Sequence, residues 1–80
     1  MSPEQHARRF LAQHLVEAPA RAKGSDVWAA YMAWTVARRL THRDRVKRAD
    51  LFKIIEEVAT RTLPQGAVWF VGVRLERNPT

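Results

Sequence analysis

Eighty residues make one domain and leave no room for a second. The absence of cysteine excludes disulfides and thiolate metal sites and fits a reducing cytoplasm, while no apolar run approaches the roughly 20 residues of a membrane span and the first residues lack the basic-then-apolar pattern expected of a secretion signal. Fourteen Lys and Arg face eight Asp and Glu, a net charge of +6 that draws polyanions and points to nucleic acid.

The sequence predicts a first helix over about residues 3–17. Ser2 can cap it, Pro3 suits the first helical position, and Gln5 completes a capping box. Ala7, Phe10, Leu11, His14 and Leu15 form an apolar stripe at helical spacing. Pro19 ends this helix, and residues 19–24 read as a loop.

A second helix is expected over about 26–40, capped by Ser25 or Asp26. Val27, Ala30, Tyr31, Trp34 and Ala37 line one face. Trp28, Met32 and Thr35 widen it, as in a helix touched on more than one side. Residues 38–48 then hold six Lys or Arg and one acid.

The third helix is read over about 47–60, with Leu51, Phe52, Ile54, Ile55, Val58 and Ala59 as its buried arc. Ala49, Asp50, Lys53, Glu56, Glu57 and Thr60 face out. Beyond it the period drops to two. Trp69, Val71, Val73 and Leu75 alternate with Phe70, Gly72 and Arg74, which is a strand pattern. Residues 61–63 can pair with that strand across Pro64-Gln65-Gly66, giving a hairpin over about 61–76. Residues 77–80 read as a tail.

Three helices followed by a hairpin specify an α+β domain spanning 1–80. The winged helix-turn-helix is the basic fold this order suits, with helices two and three as the helix-turn-helix pair and the hairpin as the wing. The competing reading is an α+β domain with no nucleic-acid role.

The second helix carries a further clue. Residues 25–34 follow the pattern small or Ser, Asp, aliphatic, aromatic, two variable residues, Tyr, two variable residues, Trp. This resembles the C-terminal winged-helix domain of phage and plasmid primase-helicases, including the poxvirus-type ones. Phe10-Leu11, Leu51, Ile55 and Gly72-Val73-Arg74-Leu75 stand where that family has apolar positions and a closing Gly-aliphatic-basic-Leu strand. The resemblance covers about residues 8–76. It implies a winged-helix fold and a link to phage or mobile-element DNA in a bacterial host. It does not imply primase or helicase activity, because those belong to separate domains and no Gly-x-x-x-x-Gly-Lys-Ser/Thr loop is present. Met1 followed by a capped helix fits a free-standing product as well as a fragment.

In a helix-turn-helix the N-terminal part of the second helix of the pair meets the bases. Here that part offers Lys47, Arg48 and Lys53. Arg43 and Arg45 are placed to hold flanking phosphates, and Gln65, Arg61 and Arg74 are placed to reach an adjacent groove from the wing. Asp50, Glu56 and Glu57 complicate this face. Either the acids stand away from DNA, or docking uses the 38–48 segment, or the surface meets a protein. The expected partner is duplex DNA, in replication, excision or transcriptional control. The alternative is a protein-interaction module that docks on a replication or host protein. Single-strand binding would need at least two aromatics exposed along one basic groove.

Enzyme activity is not expected, nor is any cofactor, metal, membrane or small-molecule substrate. His6, His14 and His42 are scattered, and the adjacent Glu56 and Glu57 diverge by about 100° on a helix.

Overall fold

The computed structural model describes residues 2–76. It contains helices α1 (Pro3–His14), α2 (Gly24–Ala37) and α3 (Arg48–Ile55), and strands β1 (Leu15–Lys23), β2 (Thr60–Thr62) and β3 (Trp69–Leu75). The chain order is α1-β1-α2-α3-β2-β3. The strands form one antiparallel sheet in the order β1-β3-β2. Two single 3-10 turns, His42–Asp44 and Pro64–Gly66, lie before α3 and at the hairpin tip.

The start of α1 obeys local chemistry. The Gln5 amide donates to Ser2 Oγ at 3.2 Å, and the Ser2 amide donates to Gln5 Oε1 at 2.8 Å, closing the capping box. The end differs from the sequence reading. α1 stops at His14, not at residue 17, because Leu15 is already extended. Residues 15–23 are not a helix end and a loop but strand β1. Leu15 pairs with Leu75 and Lys23 with Trp69. His14 fastens the junction. Its Nδ1–H donates to the Glu76 carbonyl at 2.8 Å, and its ring stacks on Phe10 at 5.1 Å between centroids.

α2 begins at Gly24, one residue ahead of the expected Ser25 or Asp26 cap, and neither residue is the cap. Lys23 holds that position and makes no side-chain cap bond. The Gly24 amide instead donates to the Val68 carbonyl at 2.8 Å, so the helix start is tied to the hairpin. The contact is close: a Cβ on Gly24 would stand 2.9 Å from Phe52 Cζ and 3.2 Å from Val68. α2 ends at Ala37 rather than 40, and Arg39 turns the chain with a left-handed φ of 57°.

α3 is eight residues long and ends at Ile55, not at 60. The amides of Glu57, Val58 and Ala59 fold back on the carbonyls of Ile54 and Ile55 at 3.0–3.1 Å, which closes the helix before β2 starts. Val58 therefore leaves the buried arc and is 59% exposed.

The core joins all layers. Phe10, Val27, Tyr31, Leu51, Ile55 and Phe70 are fully buried, and Trp34 and Phe52 nearly so. Phe10 packs edge-on against Tyr31 and Trp34, and Phe52 edge-on against Phe70. The alternation read for β3 breaks in its middle. Phe70 and Val73 are both buried although they are three residues apart, and Gly72 between them has φ 99°. That left-handed residue resets the phase. Trp69 and Val71 thus face away from the core, while Val73 and Leu75 face it. Opposite this point β1 has three residues where β3 has one.

Candidate nucleic-acid interface

α3 and its approach present a group of exposed cations. Lys47 stands at the N-cap, Arg48 opens the helix, and Lys53 lies one turn further along; all three are exposed. The Arg48 guanidinium lies 5.1 Å from the centre of the Phe52 ring. The Arg61 guanidinium, from β2, lies 5.9 Å from the same ring. Helix and hairpin cations therefore converge on one side of the molecule.

The chain entering α3 is held in place. The Val46 amide donates to the buried Tyr31 hydroxyl at 3.1 Å. Before it, Asp44 Oδ2 accepts both the amide and the hydroxyl of Thr41 at 2.9 Å. The Thr41 amide chiefly, and its hydroxyl next, hold the Asp44 carboxyl below its ordinary range. Arg43 is exposed in that turn. A groove of about 400 Å³ runs alongside, lined by Trp28, Met32, His42, Val46 and Lys47 among others.

The acids that complicated the sequence reading are partly occupied. Arg8 of α1 donates to both carboxylate oxygens of Glu57, at 3.1 and 2.9 Å, and to Glu4 at 3.2 Å. The bonds from Arg8 pull the Glu57 carboxyl down, and the bonds to Glu57 and Glu4 push Arg8 up. Glu56 sits 3.8 Å from Arg61. Both glutamates lie in the turn after α3, about 12 Å along the axis from Arg48. Asp50 stays on the exposed side, in the first turn, where a negative charge favours the helix dipole.

The other residues predicted for the site part company. Arg45 is half-buried, with a terminal nitrogen 3.4 Å from the Leu40 carbonyl and its Nε buried without a partner. It points into the α2–α3 connection. Arg38, in the same basic run, lies 4.5 Å from the Trp34 ring and bonds to Gln13 of α1, so residues 38–48 are not one patch. Gln65 is exposed at the hairpin tip in a left-handed conformation, φ 55°. Arg74 is exposed on the outward side of the sheet, next to inward Val73 and across from Val16. That side is opposite the one on which α3 packs.

Sequence reasoning missed Arg21 and Lys23. They alternate with Ala20 and Ala22, which is a strand period, but Pro19 hid it. Arg21 and Lys23 lie 4.3 and 5.9 Å from the centre of the Trp69 ring. Trp28 packs against Tyr31 at 5.7 Å and is half-buried, in a groove that Trp69 does not line. Among the described residues no helix is long and apolar enough to cross a membrane, and no group of three His, Asp or Glu could hold a metal. No protein-family model matches this chain, and no curated protein or solved structure shows significant similarity to it.

Proposed function

We propose that this chain is a winged-helix protein that binds duplex DNA, with α3 as the recognition helix and the β2–β3 hairpin as the wing. The reading is supported by the element order, by the sheet order β1-β3-β2, and by the likeness of residues 25–34 to the second helix of primase-helicase winged-helix domains. That likeness also favours a phage or mobile-element setting, in replication, excision or transcriptional control. The observation that carries the proposal is the meeting of Arg48 and Arg61 at the Phe52 ring, which joins helix and hairpin cations beside Lys47, while Lys53 lies round the helix in the groove with Glu4, Asp50 and Glu57. Phosphate contacts from Lys47, Arg48, Arg43 and Arg61 supply affinity and register, and the first turn of α3 meets base edges.

A salt titration of duplex binding tests this. For about five neutralised phosphates, log affinity should fall against log salt with a slope near −4.5. Lys47→Ala with Arg48→Ala should flatten that slope by about two. A flat response in the parent protein removes the duplex reading.

A second reading, a protein-interaction module, is favoured by the groove of about 250 Å³ between α1, β1 and the end of α3. Leu11, Leu15, Ile54 and the exposed Val58 line it. Retention of one stoichiometric protein partner, lost in Val58→Asp, together with no duplex shift at low salt, would replace the DNA reading with this one.

A further inference from the structure

The outward side of the sheet is a second surface with its own chemistry. Directly paired residues of neighbouring strands share a face. Lys23 and Thr62 pair with Trp69, and Arg21 and Thr60 pair with Val71. Phe70, between Trp69 and Val71, is fully buried on the core side. These six side chains therefore stand on the side away from the core. Arg21 is stacked 4.3 Å from the Trp69 ring centre, and Val71 is 44% exposed.

Beside them lies a shallow depression of about 350 Å³ lined by Pro19, Ala20, Arg21, Val71 and Gly72. It exists because β1 carries extra residues opposite Gly72. Among the described residues, none of the strands places a carboxylate on this face. Glu17, the acid within β1, pairs with inward-facing Val73 and lines the groove against α1 and α3. Glu76 lies past the end of β3, beyond Arg74.

A duplex hides the faces of its bases and offers only phosphates and groove edges. An unpaired strand offers phosphates and base faces together. Cations around an aromatic ring on an open sheet match the second ligand, since every base has a face to stack. We propose that the outer sheet face, centred on the half-buried Trp69 with Arg21 and Lys23, binds a short single strand of nucleic acid, using one stacking ring and the apolar Val71 in place of the two exposed aromatics that the sequence reading asked for. Its phosphates lie at Arg21 and Lys23, and one base rests against the Trp69 indole. The next base reaches the Val71 depression, two residues or about 7 Å along β3. This goes beyond duplex binding by α3 and does not depend on it, because the two surfaces share no residue and lie on opposite sides of the sheet.

The test uses the full chain and two labelled probes, a short oligo-dT and a duplex, read by fluorescence anisotropy at low salt. Arg21→Glu with Lys23→Glu should weaken oligo-dT binding by roughly tenfold or more and leave the duplex within about twofold. Lys47→Ala with Arg48→Ala should do the reverse, so failure of the duplex reading shows separately. Oligo-dT should also quench tryptophan emission in the parent and lose most of that quenching in Trp69→Phe, which keeps an aromatic ring in the sheet. An unchanged oligo-dT affinity in the double-Glu variant overturns the proposal. So does an equal loss for both probes, or sedimentation showing that a second copy covers this face.

Discussion

Replacing Tyr31 by Phe tests what holds α3 in its place. The Tyr31 ring is fully buried, and its hydroxyl accepts the Val46 amide at 3.1 Å. Phe keeps the ring contacts with Phe10 and Trp34 and removes only the acceptor. A buried donor left unpaired costs about 1–3 kcal/mol, but Val46 is half-buried and water reaches part of it, so about 1 kcal/mol is the proper magnitude. In a domain this small that loss lowers the melting temperature by about 4–8 °C. Thr35→Val is the control. The Thr35 hydroxyl is also buried and donates to the Met32 carbonyl at 2.7 Å, but that carbonyl sits inside α2, where the helix ladder gives it a backbone donor. Its loss should cost less. Urea unfolding with an unchanged slope measures both variants. A midpoint for Tyr31→Phe equal to the parent, or above that of Thr35→Val, would refute the claim that this hydroxyl fastens the α2–α3 connection.

Three further outcomes can be checked. Gly72→Ala should cost about 1–2 kcal/mol through its positive φ alone, since nothing lies within 4 Å of the added methyl. Gly24→Ala should cost about 1–3 kcal/mol through overpacking against Phe52 and Val68. Chemical denaturation ranks both, and a neutral Gly72→Ala would mean that the strand tolerates another geometry there. Acid unfolding reads the two depressed carboxyls. Asp44 and Glu57 have native pKa values below their unfolded ones, so their contribution is full above the ordinary carboxylate range and fades as pH falls through the native values. The urea midpoint should hold from pH 7 to about 5 and drop below about 4, and Arg8→Ala should make that drop shallower. Glu56→Gln should release Arg61 from the carboxylate 3.8 Å away, raise duplex affinity a few-fold and steepen the salt slope by about one, as a salt titration would record.

Much of the helical framework was legible because its signals are local. The Ser2-Pro3-Gln5 cap and the apolar spacing of Tyr31, Trp34, Leu51, Phe52 and Ile55 act over a few residues, and so does the Pro64-Gln65-Gly66 tip. β1 was illegible for the opposite reason. Its partner residues in β3 lie 46 to 60 positions downstream, and its Ala-rich run has weak strand propensity of its own. Pro19 read as a terminator, yet β1 is an edge strand, and Pro19 falls in the bulge between the paired residues Glu17 and Arg21, where no ladder amide is needed. Missing β1 also concealed Arg21 and Lys23. The charge run 38–48 misled in the other direction, since adjacency in sequence says nothing about direction. Arg38 turns to Trp34 and Gln13, Arg45 turns inward, and Lys47 and Arg48 turn out.

The separation of the two cationic faces bears on how their charge acts. Arg21 and Lys23 stand on the outward side of the sheet, and Arg48 and Arg61 lie against Phe52 on its inward side. Divided between two sides, the net charge of +6 overstates what either face offers a polyanion. Acids trim one face further. Arg61 faces Glu56, and Asp50 stands in the first turn of α3, whereas Arg21 and Lys23 have no carboxylate beside them among the described residues of the sheet. Per exposed charge the sheet side is thus the less compensated one. Raising salt should then weaken the two surfaces independently, each with a slope set by its own contacts and not by the total charge of the chain. A single slope shared by both probes, abolished together by either pair of substitutions, would mean one continuous site and would contradict the layering described above.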